Sequence, residues 1–210
     1  MRFFKTGPGE YGEGDKFLGL SLPAIRAAAR TYKDLPLATT IALLRSPWHE
    51  ERLLALIILV KQYERGTDAQ RGAIHRAYLA NTRYINNWDL VDSSAQYIVG
   101  PHLKGAKRLL LARLARSRSM WERRIAVLAT FAYIKDDDFA DALRIAELLL
   151  GDEHDLIHKA TGWMLREVGK RDERVLESFL RRHVKRMPRT TLRYAIERFS
   201  PRKRAAYMEM

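Results

Sequence analysis

The sequence predicts an all-α protein in which one helix pair is used repeatedly. Three observations carry that reading. Apolar residues recur at intervals of three and four within stretches rich in Ala, Leu and Arg, which are strong helix formers. Val and Ile are scattered, and apolar–polar alternation is too rare to supply a sheet. Similar segments also return at a nearly constant interval along the chain.

The helical stretches begin past residue 20. In order they are Ala24-Ile25-Arg26-Ala27-Ala28-Ala29, Leu53 to Val60, Leu109 to Leu114, Ile125 to Phe131 and Ala142 to Leu150. Punctuation falls between them. Ser46-Pro47 reads as an N-cap followed by proline at the first helical position, and Arg65-Gly66 and Gly100-Pro101 read as breaks.

The repeat emerges from self-comparison. Glu50-Glu51-Arg52-Leu53-Leu54-Ala55-Leu56 matches Glu122-Arg123-Arg124-Ile125-Ala126-Val127-Leu128 at an offset of 72, with Asn87-Trp88-Asp89-Leu90 halfway between them. Ile157-His158-Lys159-Ala160 and a weaker copy at Thr191-Leu192-Arg193 continue the series. Arg52, Trp88, Arg124, Lys159 and Arg193 are thus spaced by 36, 36, 35 and 34 residues. Such a period corresponds to one helix–turn–helix per repeat, as in HEAT-like α-solenoids, whose stacked pairs curve and line a concave face with one helix of each pair. The expectation is a single domain over residues 1–210 with a basic concave face. A generic bundle of similar amphipathic helices is the alternative. Stacking would set the five spaced residues in one row, and Leu56, Asp92, Leu128, Trp163 and Glu197, one helical turn on, in a second. Trp88, Asp92, Arg124 and Trp163 would then converge on one patch.

Composition narrows the function. There is no cysteine, which excludes disulfides, thiolate nucleophiles and Cys-ligated metal centres. Thirty-eight Lys and Arg against twenty-five Asp and Glu leave a formal charge of +13, which favours a polyanion such as nucleic acid or an anionic membrane. The longest apolar run, Leu53 to Val60, is too short to span a bilayer, and the N-terminus lacks a signal-peptide pattern. A cytoplasmic, monomeric protein with no membrane partner is the expectation.

Several motifs invite chemistry and are weighed against plainer readings. Gly7-Pro8-Gly9-Glu10-Tyr11-Gly12 matches G-x-G-x-x-G, but only six residues precede it. It reads as a mobile substrate-facing loop or a connector. His154 and His158 stand at i and i+4, but Asp155 follows His154 where the metalloprotease motif has Glu, and no third ligand is evident. They read as a solvated helix face, with no metal. Nothing matches a Walker G-K-[ST] or a G-x-S-x-G elbow. Trp88 and Asp92, four apart, share a helix face while Asp89 points elsewhere. Core filling is the plain reading of Trp88 and Trp163, and pairing with a neighbouring acid that of Arg124.

Three segments together resemble the AlkD-type DNA alkylation repair glycosylases. They are Phe3-Phe4-Lys5-Thr6-Gly7-Pro8-Gly9-Glu10-Tyr11-Gly12-Glu13-Gly14-Asp15, Asn87-Trp88-Asp89-Leu90-Val91-Asp92, and His158 through Gly162-Trp163-Met164 to Arg171, and the likeness runs from about residue 3 to about residue 200. The resemblance implies a HEAT-like solenoid that hydrolyses the N-glycosidic bond of N3- and N7-alkylpurines in double-stranded DNA, without a cofactor. It implies that Asp92 is the catalytic carboxylate, that Trp88 and Trp163 flank the lesion sugar, that Arg124 grips the backbone, and that Tyr11 lies near DNA. Family members usually begin with a further helix before the Phe-Phe-Lys-Thr segment, whereas this sequence starts at Met1-Arg2. Arg52, Lys159 and Arg193 of the predicted row are candidate DNA contacts. So are Lys104, Lys107, Arg166, Lys170, Arg171 and Arg189 from helix ends and loops, each with a solvated surface charge as its plain reading. No lysine is placed for Schiff-base chemistry, so a monofunctional glycosylase is expected. A non-catalytic nucleic-acid- or protein-binding scaffold is the competing reading.

Overall fold

The computed structural model describes residues 4–105 and 108–210; Phe3 and Lys107 lie outside the described residues. The described residues are helical throughout, apart from loops and one isolated parallel bridge between Lys16 and Trp48. Among the described residues, no helix is long and apolar enough to cross a membrane. The chain divides into two compact units, Met1–His102 and Leu103–Met210.

The first unit opens with an irregular strap, residues 4–20, followed by α1 (Leu22–Thr31), α2 (Leu37–Leu44), α3 (His49–Arg65), α4 (Asp68–Ala80), a 3₁₀ turn (Thr82–Tyr84), α5 (Trp88–Asp92) and α6 (Ala95–His102). Its hub is α3, which packs against α1, α2, α4, α5 and α6. Leu56, Ile58 and Leu59 on that helix are fully buried. Starts and stops follow local chemistry. Ser21 caps α1 by accepting the Ala24 N–H, and Thr67 and Gln70 form a reciprocal capping box at α4. Arg65-Gly66 does end α3, as expected.

Two boundaries differ from the sequence reading. Helix α3 begins at His49, three residues after Ser46, because the Ser46 hydroxyl accepts the Trp48 N–H (3.0 Å) within a turn. Gly100-Pro101 does not break α6, which runs on to His102. Pro101 sits in its last turn, where the missing N–H forfeits a single hydrogen bond.

The second unit comprises α7 (Leu109–Ala115), α8 (Met120–Ala129), α9 (Phe131–Ile134), α10 (Ala140–Leu148), α11 (Asp155–Arg171), α12 (Glu173–His183), a 3₁₀ turn (Val184–Arg186), α13 (Arg189–Ala195) and α14 (Pro201–Glu209). Here α11 is the hub, packed against α8, α9, α10, α12 and α13. Asp155 in its first turn and Lys170 and Arg171 in its last complement the helix dipole. Leu165, Phe179, Leu180, Leu192 and Ile196 form the core between α11, α12 and α13. Gly162 sets the approach of α11 to α13. A Cβ there would stand 2.5 Å from both the Thr191 carbonyl oxygen and the Tyr194 Cβ, so any side chain would push the helices apart.

Equivalent hydrogen bonds fix the repeat register more firmly than apolar pattern does. The Ser46 hydroxyl accepts from Trp48 N–H and donates to Glu51, while Arg52 Nη1 donates to the Ser46 and Pro47 carbonyls. The Ser117 hydroxyl likewise accepts from Ser119 N–H (3.1 Å) and donates to Glu122, while Arg123 Nη1 donates to the Ser117 and Arg118 carbonyls (both 3.0 Å). Asp152 accepts the His154 N–H, and the His158 ring donates to the Asp152 carbonyl. In each case the residue six positions on staples the loop that starts the helix. Arg52, Arg123 and His158 are therefore equivalent. The expected offset of 72 is corrected to 71, which moves Arg124 and Lys159 to the address of Leu53. One residue is 100° on a helix, so Arg124 and Lys159 do not hold the place in their repeats that Arg52 holds in its own. Leu56 and Leu128, expected one helical turn on, are fully buried.

Candidate active site

The first unit assembles its chemistry around the short helix α5. Asn87 starts it, its side-chain oxygen accepting the Trp88 N–H at 2.8 Å. Leu90 and Val91 are fully buried and anchor the helix. Ser94, just beyond it, bonds the buried Tyr78 hydroxyl of α4 at 2.9 Å. With one face anchored, Trp88 and Asp92 share another, and both are half-buried. They line a cavity of about 600 Å³ whose walls are mostly apolar, including Leu53, Ile57 and Val60 of α3 and Phe4, Phe17 and Leu20 of the strap. The expected pairing of Trp88 with Asp92 on one surface is thus present in this unit. Asp89 differs from expectation. It borders the same cavity, with a carboxylate oxygen turned to His49.

A buried charged cluster joins the strap to α3 and α5. The His49 imidazole lies between Asp15 Oδ2 at 2.9 Å and Asp89 Oδ2 at 2.8 Å, one from each ring nitrogen. Ionised carboxylates only accept, so both ring nitrogens must carry hydrogen and the ring is an imidazolium. Asp15 also accepts from the Arg52 guanidinium and from Asn87 Nδ2 (3.1 Å). The side chains of Asp15 and His49 are only 3% and 2% exposed. The rings of Phe4 and Phe17 lie 4.8 Å from that of His49, and Phe4 also meets Trp88 at 5.7 Å. Next in sequence, the Glu50 carboxylate accepts the N–H groups of Leu18 and Gly19 at 2.8 Å and of Leu20 at 3.3 Å. The Gly-rich segment is therefore a pinned strap. Inside it Glu10 accepts the Gly7 N–H, Glu13 the Gly9 N–H, and the Tyr11 hydroxyl the Lys5 N–H (3.3 Å). Gly9 and Gly14 turn it at φ values of 76° and 78°.

Electrostatics make this cluster pH-sensitive. Burial disfavours the charge on His49, but hydrogen bonds and charge from Asp15 and Asp89 outweigh it and raise the pKa to about 9. Burial likewise opposes ionisation of Asp15, yet hydrogen bonds from His49, Arg52 and Asn87 hold it below its usual value. A raised histidine stabilises the fold fully below its unfolded value of about 6.5 and loses that contribution as pH climbs through the folded value. Urea denaturation should accordingly show stability falling between pH 6.5 and 9 by about 3 kcal/mol, and His49→Gln should flatten that limb. Asp15 acts in the opposite sense, its contribution being lost only as pH falls below the ordinary carboxylate range.

The remaining predicted residues have varied surroundings. Arg52 is 5% exposed and committed to Asp15 and two backbone carbonyls, which corrects its reading as a phosphate contact. In the second unit Arg124 on α8 is also 5% exposed and donates to the Leu156 carbonyl of α11. Trp163 on α11 is half-buried, its Nε1–H donating to Glu167 at 3.0 Å and its ring 6.1 Å from Phe131. Lys159 pairs with Asp155, Lys170 with Glu167 and Arg171 with Asp137, each at the surface. Lys104 pairs with Asp136, and Arg166 with Glu197. Arg189 donates to the Met208 carbonyl, and Arg193 is exposed on α13. Exposed ion pairs contribute about 0–1 kcal/mol, so a phosphate can displace such a partner at little cost. Among the described residues, no three His, Asp or Glu side chains gather as a metal site.

Sequence reasoning missed Asp15, His49 and Asn87 and set Asp89 aside. Their partners are 34, 40 and 72 residues away, so no local spacing announces them.

The first unit of this all-helical scaffold thus carries a carboxylate and an indole in one cavity. The sequence pattern of the DNA alkylation repair enzyme family matches residues 1–199, and the chain belongs to that family. Among solved structures, a protein described as a predicted DNA alkylation repair enzyme from Enterococcus faecalis shares the fold. It superimposes with a TM-score of 0.69 over 88% of this chain and 89% of its own, at 17% identity. No curated protein sequence matches the chain.

Proposed function

We propose that the protein is a monofunctional DNA glycosylase that hydrolyses the N-glycosidic bond of cationic N3- and N7-alkylated purines, such as 3-methyladenine and 7-methylguanine, in double-stranded DNA. One observation carries the reading: Asp92 and Trp88 stand one helical turn apart on α5 and line the same cavity. An alkylated N3 or N7 purine already bears positive charge and leaves as a neutral base, so no acid need protonate it. Charge develops instead on the sugar as an oxocarbenium ion. A single carboxylate can stabilise that cation and orient the attacking water, and an indole face adds cation–π attraction. The two-carboxylate apparatus of most glycoside hydrolases, where the leaving oxygen must be protonated, is unnecessary. Asp92 takes the first role and Trp88 the second. In this reading Trp163 and Arg124 complete the grip on the lesion sugar and backbone. Lys159, Arg166, Lys170, Arg171, Arg189 and Arg193 supply phosphate contacts, and the lesion is held through sugar and phosphates without a tight base pocket.

The family membership and the charge of +13 support DNA as the substrate. The test is release of free base from duplex DNA carrying 7-methylguanine or 3-methyladenine, followed by detection of the abasic site. Salt-sensitive duplex binding with no base released would replace this reading with a non-catalytic nucleic-acid scaffold.

A further inference from the structure

We propose that His49 is a positioning residue for the Asp92 carboxylate: by bridging Asp15 of the strap and Asp89 of α5, it ties the strap to the helix that carries Trp88 and Asp92. The proposal rests on the glycosylase reading above and adds a residue and a route to it. The geometry is specific. Helix α5 has only five residues, too few to hold its own orientation, so neighbours must fix it. From within, Leu90 and Val91 anchor it. From the strap side the fixings are polar and converge on one carboxylate oxygen, Asp15 Oδ2: Asn87 Nδ2 reaches it directly, and Asp89 reaches it through the imidazolium.

Every element packed on His49 contributes to holding it. The strap supplies Asp15, Phe4 and Phe17, α3 supplies Arg52 through Asp15, and α5 supplies Asp89. Two carboxylates and two cations leave the cluster formally neutral, which lets it lie buried while each charge retains a partner. The raised histidine pKa fits the same geometry, since the ring stays charged through neutral pH. Asp89 sits three positions before Asp92, so a shift at Asp89 rotates or lifts the turn that presents the carboxylate. His49 itself need not touch the substrate to matter, because displacement of a reacting group by about 1 Å costs on the order of 10²-fold in rate.

The experiment uses the full chain and compares two readouts on duplex DNA containing 7-methylguanine: the single-turnover rate of base release at saturating protein, and the Kd for the duplex. His49→Gln should slow release by about 10–100-fold while leaving Kd within about twofold. A double variant, His49→Gln with Asp89→Asn, should be no slower than the slower single variant, since both cut one link. A rate within about twofold of wild type, a loss shared equally by Kd, or multiplicative losses in the double variant would each overturn the positioning role. If circular dichroism shows that His49→Gln does not fold, the isosteric Asp89→Asn carries the test alone, with a loss of about 3–10-fold expected and a rate within about twofold overturning the role. No release by the wild type overturns the glycosylase reading and this proposal together. Release by the wild type with an undiminished His49→Gln overturns the positioning role alone.

Discussion

Asp92→Asn is expected to lower the single-turnover rate of 7-methylguanine release by about 10²–10³-fold, equivalent to about 2.7–4 kcal/mol of transition-state stabilisation. Asparagine keeps the shape of the side chain and removes its charge, so the half-buried site beside Trp88 should fold unchanged. The stabilisation of an oxocarbenium ion by a fixed anion is electrostatic, and the amide retains only its dipole. Duplex affinity should stay level or tighten, because a carboxylate facing a polyanion opposes binding. That split between rate and affinity is the informative part. A scaffold that only binds DNA would show the affinity change with no rate to lose. Wild-type release that survives unchanged in Asp92→Asn would sink the mechanism.

Arg52→Met is expected to destabilise the protein by about 3–5 kcal/mol, measured by urea denaturation at neutral pH. The guanidinium is buried and holds both Asp15 and the turn at Ser46 and Pro47. Methionine fills similar volume, but it leaves the Asp15 carboxylate buried with one cation fewer and two carbonyls short of a donor. The alternative makes an opposite prediction. A surface arginine gripping phosphate would change stability by no more than about 0.5 kcal/mol, and its removal would lower the salt dependence of duplex binding by about one ion. An undiminished stability would therefore return Arg52 to the DNA interface.

The helical class was legible because it is written locally. Ala-, Leu- and Arg-rich stretches with apolar residues at three and four need no knowledge of the rest of the chain. Trp88 and Asp92 were legible for the same reason, four residues being one turn of any helix. The repeat was legible in period but slipped by one residue in register. Leu, Ile and Ala interchange freely on an apolar face, so Glu50-Glu51-Arg52 slid onto Glu122-Arg123-Arg124. The hydrogen bonds of Arg52 and Arg123 to their serine turns do not permit that slide. The buried cluster was not legible at all. Asp15, His49, Arg52 and Asp89 come from three elements and look like ordinary surface polars in sequence. Only tertiary structure reveals that each is the partner another requires. The surface cations were read as phosphate ligands by charge alone, and pattern gave no sign that Lys104, Arg166 and Arg171 each have a carboxylate neighbour.

The stapled turns at Ser46, Ser117 and Asp152 give each of these helices a fixed point from which its residues are counted. Insertions or deletions elsewhere in a repeat can then alter the interval to the next one without rotating the helix about its axis. Counted this way, Leu53, Arg124 and Lys159 occupy the same place, seven residues after the turn residue. In the first unit that place holds an apolar wall of the cavity, and in the second it holds cations. The turns thus let chemistry at one address diverge between copies while the backbone address stays constant.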